Sequence, residues 1–335
     1  MSLEIQPPGP IRFGVIGPGQ IAGERLVPAL KAVPGATFWS VLGRDASRTG
    51  EFVAKHGASA PNAVHTALDV FLSDPALDAV IIATPDRQHA GQAIAAAKAG
   101  KHVFIEKPMA TSAEESRQIL AAVQEAKVKL AVGYHLRFHA GHRAAKELLL
   151  SGKIGRPLHM RVCWTMKADL SDWRAASQTG RWWSLGATGT HALDLVRWFL
   201  SPQCGEIVDV KSVIDTSQFG GSHDETAAVS LRLASGATAQ VVSSVIFRAP
   251  RVVEIFAENG SIVCNGTLGP RGSGEILVND ERLEYTAVDP YRSELENFVS
   301  SIRDGKTPES DGVEGAANVA LLELAINGHE RTQDG

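Results

Sequence analysis

The sequence predicts an α/β protein in two parts: a parallel sheet covered by helices on both faces, then an α+β region built on a large, mostly antiparallel sheet. Three observations carry this. The first third holds four short apolar runs, almost free of polar residues and separated by helical stretches, as a sheet buried on both faces requires. Beyond residue 155 the runs change to alternation of apolar with polar or small residues, the mark of strands with one solvated face. The length, 335 residues, exceeds what a single hydrophobic core usually organises.

In chain order, the buried strands are "IRFGVIG" (11–17), "ATFWSVLG" (36–43), "DAVIIATP" (78–85) and "KHVFIEKP" (101–108). Between and after them lie a helix over Gln88–Ala99, closed by Gly100, and another over Ser112–Lys127, where Ser112 and Glu115 have capping-box spacing. The pattern places one domain at residues 1–130 and a second at 131–335. "RPLHMRVCWTM" opens the alternating region, and residues 226–247 read as a hairpin with Val229, Leu231 and Leu233 on one face and a turn at Ser235–Gly236. Further strands are expected at 252–257 and 274–279. Helices near 291–304 and 312–328 end the chain, placed to pack back on the first domain.

Composition narrows the function classes. Hydrophobic residues make up 44% and charged residues 21%, with a formal net charge of −4 and no Lys/Arg-rich block, so nucleic acid and anionic membrane surfaces are not expected partners. No apolar run approaches the roughly 20 residues of a membrane span. The start "MSLEIQPPGP" lacks the charged and apolar regions of a signal peptide. Cys163, Cys204 and Cys264 have no paired spacing, which suits reduced thiols in a cytoplasmic protein. The histidines show no metal-ligand spacing, so no metal is expected, and no Gly-x-Ser-x-Gly elbow occurs.

The chemistry concentrates at strand ends. Gly17-x-Gly19-x-x-Ala22 follows the first strand and opens a helix. The first glycine allows a tight turn, the second lets backbone approach a pyrophosphate, and the helix start around Gln20 and Ile21 offers free N–H groups to the phosphates. That is the Rossmann pattern of a dinucleotide site. The second strand ends in Gly43-Arg44-Asp45, with Arg48 one turn later. An acidic residue here suits the ribose of NAD(H), whereas Arg44 is placed to stack on adenine and clamp a 2′-phosphate, so NADP(H) is favoured over NAD(H).

"FIEKPMATSAEE" sets Glu106 and Lys107 at another strand's carboxyl end, where open α/β sheets bind ligands. Taken with the glycine loop, "ATPDRQH" (83–89), "EKPMA" (106–110), "GYHLRF" (133–138), "GKIGRP" (152–157) and "GTHALD" (189–194), the chain resembles the Gfo/Idh/MocA oxidoreductases from about residue 11 to the C-terminal helices. The resemblance implies an NAD(P)(H) site in the first domain and a sugar, cyclitol or similar polyol over the second domain's sheet. It implies that Thr84, Pro85 and His89 line the nicotinamide-ribose region, that Glu106 holds the ribose, and that Lys107 is the catalytic lysine. A lysine beside the cofactor and partly desolvated is able to exchange a proton with the substrate oxygen as hydride moves.

Family members commonly carry Gly-Gly-Gly, an Asp, then Gly-x-His-x-x-Asp. Aligned on His191 and Asp194, the acidic position is Ala187 and the triplet is Arg181-Trp182-Trp183. His191 is the second catalytic candidate. Asp194, sharing a helix face with it, either orients the imidazole or binds a hydroxyl. Trp182 and Trp183 are either core residues or an apolar platform, Trp183 being the substrate-binding candidate. Trp173-Arg174 resembles a pair in sugar-acting members, and Arg137 is either an interdomain ion-pair partner or a ligand.

The expected function is therefore hydride transfer between nicotinamide and a sugar-like or polyol alcohol or its ketone. A cofactor-dependent lyase or glycosidase without net redox is one alternative, and a non-catalytic NAD(P)-binding sensor is another. Family members usually pair through the second sheet, which implies a homodimer or homotetramer.

Overall fold

The computed structural model describes residues 9–169, 182–219 and 223–333. The first sheet contains β1 (Ile11–Ile16), β2 (Ala36–Leu42), β3 (Val64–His65), β4 (Ala79–Ile82), β5 (His102–Ile105) and β6 (Leu130–Val132). All pairs are parallel and the order is β3-β2-β1-β4-β5-β6. The chain runs outward from β1 to β3 and returns to β4 on the other side of β1. The crevice beyond the carboxyl ends of β1 and β4 is thus the topological switch point where α/β sheets bind ligands.

Helices α1 (Val27–Lys31), α2 (Ala46–His56), α3 (Leu68–Leu72), α4 (His89–Lys98) and α5 (Ala113–Ala126) cover this sheet. Asp45 caps α2 by accepting from the Arg48 N–H at 2.8 Å. At α5 half of the expected capping box forms: Ser112 Oγ accepts from Glu115 N–H at 3.1 Å. The Glu115 carboxylate turns instead to the backbone and hydroxyl of Thr111, at 2.8 and 2.7 Å.

After α6 (Ala140–Leu150) comes a second sheet of eight strands: β7 (Pro157–Thr165), β8 (Ile207–Asp215), β9 (Thr226–Leu233), β10 (Thr238–Ser244), β11 (Val252–Ala257), β12 (Gly260–Asn265), β13 (Glu275–Val278) and β14 (Glu281–Arg282). Its order is β14-β13-β12-β11-β7-β10-β9-β8, and only the central β7–β10 pair is parallel. Val229, Leu231 and Leu233 of β9 all point into the core, as their alternation requires.

Helix α7 (Thr190–Cys204) is buried all round from Thr190 to Leu200, so both its polar and its apolar residues are fixed by packing. The last two helices, α8 (Pro290–Asp304) and α9 (Gly312–Gln333), do return to the first sheet. Phe298 of α8 packs on Phe13 at 6.1 Å and Phe104 at 5.9 Å, and α9 lies along α5 and β8. Strands β3, β6, β8, β12 and β14 were not among the expected ones. β3, β6 and β14 are too short to show a period, and the edge strand β8, "IVDVKSVID", carries the charges that keep an edge from pairing.

Candidate active site

A cleft of about 810 Å³ opens at the switch point, walled by Gly17, Gly19, Arg44, Arg48, Thr84 and Pro85 among others. Gly17 holds φ +91°, and a Cβ there would stand 2.8 Å from Thr84 Cγ2 and 3.0 Å from Ala83 backbone, so only glycine lets β1 turn this close to the next strand's loop. A Cβ on Gly19 would meet no protein atom, which leaves that side of the loop open to a ligand. This cradle, on a helix start and within the size range of cofactor clefts, fits a dinucleotide. The side chains of Gln20 and Ile21 are engaged elsewhere, the Gln20 amide donating to Glu24 at 3.1 Å and Ile21 packing against the core.

At the carboxyl end of β5, Glu106 is 8% exposed and accepts from the Lys107 backbone N–H at 3.2 Å. The Lys107 amine donates across to the second sheet's side of the molecule, to the carbonyl of Ala187 at 2.9 Å and of Gly186 at 3.4 Å. Those carbonyls belong to a widened turn, Leu185–Gly189, that leads into α7. Asp224 fixes the turn: its carboxylate accepts from Trp183 N–H at 2.8 Å, Leu185 N–H at 2.6 Å and Ser184 Oγ at 2.6 Å. Thr188 Oγ1 adds a bond to the Trp164 carbonyl at 2.9 Å.

His191 follows on the first turn of α7, 3% exposed, its ring stacked on Trp164 at 5.3 Å and edge-on to His135 at 4.8 Å and Tyr134 at 5.9 Å. Burial, then the charge of Lys107, then His135, hold its pKa well below the usual histidine range, so the ring is neutral.

Residues 11–134 match the family profile described as an oxidoreductase family with an NAD-binding Rossmann fold, and residues 142–263 match the GFO/IDH/MocA C-terminal domain. The chain belongs to the Gfo/Idh/MocA oxidoreductase family.

Two relatives in that family align over nearly the whole chain. A 1,5-anhydro-D-fructose reductase of Ensifer adhaerens is 28% identical, covering 95% of this chain and 97% of its own. A myo-inositol 2-dehydrogenase of Thermotoga maritima is 27% identical, covering 93% of each. Among solved structures, the aldose-aldose oxidoreductase of Caulobacter crescentus superposes with a TM-score of 0.87 at 20% identity, over 96% of this chain and 98% of its own, which speaks for the fold.

Against the Gfo/Idh/MocA pattern, several expected site residues fall elsewhere. His89 does not face the cleft: it is 1% exposed, with Nδ1 2.8 Å from the Pro108 carbonyl and Nε2 2.9 Å from the Thr84 carbonyl. It therefore ties the Lys107 loop to the Thr84 loop from beneath. Asp194 is bonded to groups other than His191. At 1% exposure its oxygens accept from Arg137, at 2.6 Å at closest, and from Asn318 Nδ2 at 2.6 Å. Arg137 also pairs with Glu314 of α9, so it is an ion-pair partner between chain segments rather than a ligand. Trp182 is fully buried and Trp183 packs on Phe219 at 5.1 Å, which makes both core residues rather than an open platform. Trp173 and Arg174 lie outside the described residues.

Sequence reasoning missed Trp164, the aromatic ring that does stack on His191, and Asp224, which holds the turn. Trp164 carried a signal, as an inward position in the β7 alternation. Asp224 carried none, because its partners lie about 40 residues away. Among the described residues no group of histidine, cysteine or acidic side chains is arranged to hold a metal, and no helix is long and apolar enough to cross a membrane.

Proposed function

We propose that this Gfo/Idh/MocA member is an NAD(P)-dependent oxidoreductase interconverting a sugar-like or polyol alcohol and its ketone, with Lys107 as acid/base and His191 beside it. The observation that carries the reading is the setting of Lys107: its amine lies at the ligand-binding edge of the first sheet, oriented by the Ala187 carbonyl, next to a neutral buried imidazole. When bound, nicotinamide takes or supplies the hydride. As hydride leaves the carbinol carbon, the neutral amine of Lys107 takes the hydroxyl proton; in reduction its ammonium returns that proton to the ketone oxygen. An amide carbonyl orients the amine but takes no proton itself, and the imidazole of His191, kept neutral by burial, is a neighbouring group able to hydrogen-bond.

Gly17, Gly19, Thr84 and Pro85 would hold the dinucleotide, with Glu106 on the nicotinamide ribose and Arg44 on the adenosine end. NADP(H) is favoured over NAD(H). In support, Arg44 and Arg48 both stand in the cleft wall, where Asp45 between them has one carboxylate oxygen engaged as the α2 cap. Trp173 and Arg174 remain proposed substrate contacts. The division of labour is cofactor binding by residues 1–130 and substrate binding and assembly by 131–335. Val213 and Phe256, exposed by 71% and 39% on strands of the second sheet, support a homodimer or homotetramer through that sheet. Three unpaired cysteines accord with a cytoplasmic setting.

The test is absorbance at the reduced-nicotinamide band over a panel of polyols and keto-sugars. A sustained, substrate-dependent change with one of them supports the reading. Because Ala187 removes the usual carboxylate, two other outcomes carry meaning. A transient signal with continued substrate consumption assigns a lyase or glycosidase without net redox, and tight cofactor binding with no substrate-dependent signal assigns a sensor.

A further inference from the structure

Thr84, Gln88 and Gln92 all stand in the wall of the cleft and are joined by a chain of side-chain hydrogen bonds. The Thr84 hydroxyl donates to Gln92 Oε1 at 2.6 Å, and Gln92 Nε2 donates to Gln88 Oε1 at 3.2 Å. The order is set at the Thr84 end. The Thr84 methyl is turned to the glycine loop, where a Cβ on Gly17 would stand 2.8 Å from it, so the hydroxyl points the other way, to α4. A separation of 2.6 Å suits O–H···O and is short for N–H···O, so the Gln92 atom facing Thr84 is its oxygen. Gln92 then presents its N–H groups to Gln88, and Gln88 has to meet them with its own oxygen.

The two glutamines share their side of the cleft with Leu42, at the end of β2, and Leu68, at the start of α3. Both leucines pack in the apolar cluster that holds Ala90 and Ala93 of α4, so this side is a slot between the β2–β3 edge and α4. The sheet order puts that edge across β1 and β4 from β5, which carries Lys107 at its end. With the phosphates on Gly17 and Gly19, the half of a dinucleotide that reaches toward β2 and β3 is the one remote from Lys107, the adenosine half. Leucine side chains suit the faces of a purine, and the Gln88 amide is a polar group able to read its edge.

We propose that Gln88 reads the adenine of the cofactor, and that Gln92 is the positioning residue that decides which way round the Gln88 amide lies. Adenine carries an amino group that donates beside a ring nitrogen that accepts, a pattern that an amide pairs with in one orientation. Hypoxanthine has a carbonyl in place of the amino group and loses that pattern on both edges. A free Gln88 would turn its amide over to suit the other base. With its oxygen held by Gln92 it does not, because turning would set N–H against N–H. The inference rests on the proposed function in taking the cleft as a nicotinamide-dinucleotide site; it does not depend on the substrate or on turnover.

The experiment is fluorescence titration of the full-length protein with NADPH or NADH, whichever binds more tightly, and with the same dinucleotide carrying hypoxanthine in place of adenine. The unmodified protein is expected to bind the hypoxanthine form about 10-fold more weakly or worse. Gln92→Leu frees the Gln88 amide, and should bring the two affinities within about 3-fold of each other while the adenine form itself weakens only a few-fold; a merely structural role would weaken both alike and keep their ratio. Gln92→Glu still accepts from Thr84 but has no N–H for Gln88, and its carboxylate accepts from Gln88 Nε2 instead. That turns the amide over, so this variant should prefer the hypoxanthine form. Equal affinities in the unmodified protein overturn the proposal, as does a ratio left unchanged by either variant, and Gln92→Glu suffices should Gln92→Leu not fold. Tight binding of both forms overturns it while the oxidoreductase reading stands, whereas binding of neither takes away the cofactor reading of the cleft and this inference with it.

Discussion

The side-chain amine of Lys107 lies 2.9 Å from the carbonyl oxygen of Ala187, joining the carboxyl edge of the first sheet to the turn that begins α7. The position where the Gfo/Idh/MocA pattern carries an acid thus meets the lysine with backbone instead. A carbonyl dipole gives direction to the amine without adding a second titrating group. The turn that carries that carbonyl has its N–H groups tied down by Asp224, and the imidazole of His191 nearby is kept neutral by burial.

Asp224→Ala is expected to destabilise the protein by about 2–4 kcal/mol, because it removes a turn cap and leaves buried N–H groups without an acceptor. It should also lower kcat, since the carbonyls that orient Lys107 lose their anchor. Denaturant unfolding alongside steady-state kinetics checks this; a stable variant with unchanged kcat would show that the turn holds its shape without Asp224.

Arg44→Ala is expected to weaken NADPH by about 10- to 100-fold, the loss of one charge-assisted contact, while NADH changes by no more than a few-fold. Fluorescence titration with each cofactor measures both. Equal losses would remove Arg44 from the 2′-phosphate.

Removing Asp194 should act on stability and not on substrate affinity. Asp194→Ala leaves the buried Arg137 with Glu314 as its remaining acidic partner, an expected loss of about 3–5 kcal/mol. KM of the folded fraction should stay within a few-fold. A stable variant with KM raised tenfold would instead return Asp194 to the substrate.

Stability should fall as the pH drops below neutrality. Burial holds both His135 and His142 down to about 3 in the folded state, against about 6.5 when unfolded. Between these values the unfolded chain binds protons that the folded one does not, so unfolding becomes easier as pH falls. From pH 7 to pH 5 each ring contributes a loss of about 2 kcal/mol. Glu294, whose buried carboxyl is raised well above its usual range, works in the opposite direction and offsets part of this. Urea midpoints at pH 7 and pH 5, measured also in Glu294→Gln to remove the opposing carboxyl, check the sign: a higher midpoint at pH 5 in that variant would mean that these rings are protonated in the fold.

What was legible in the sequence was local. The apolar runs that became β1, β2, β4 and β5, the turn at Gly17 and the Glu106–Lys107 pair at a strand end all declare themselves within a few residues. His191 was legible through its surrounding motif. The partners of Asp194 were not, because helical spacing pointed it at His191, three residues away, while packing gave it Arg137 and Asn318, 57 and 124 residues away. The tryptophans read either way, since an aromatic pair beside glycines looks the same in a core and at a surface. Long-range burial decided between these readings.

The most direct test of the account is Lys107→Ala, measured for turnover and for cofactor affinity on the same preparation. The account predicts a fall in kcat of about 10²- to 10⁴-fold, the worth of a positioned acid/base, with cofactor Kd within a few-fold of the unmodified protein. Turnover close to that of the unmodified protein would contradict it and take the proton transfer away from Lys107.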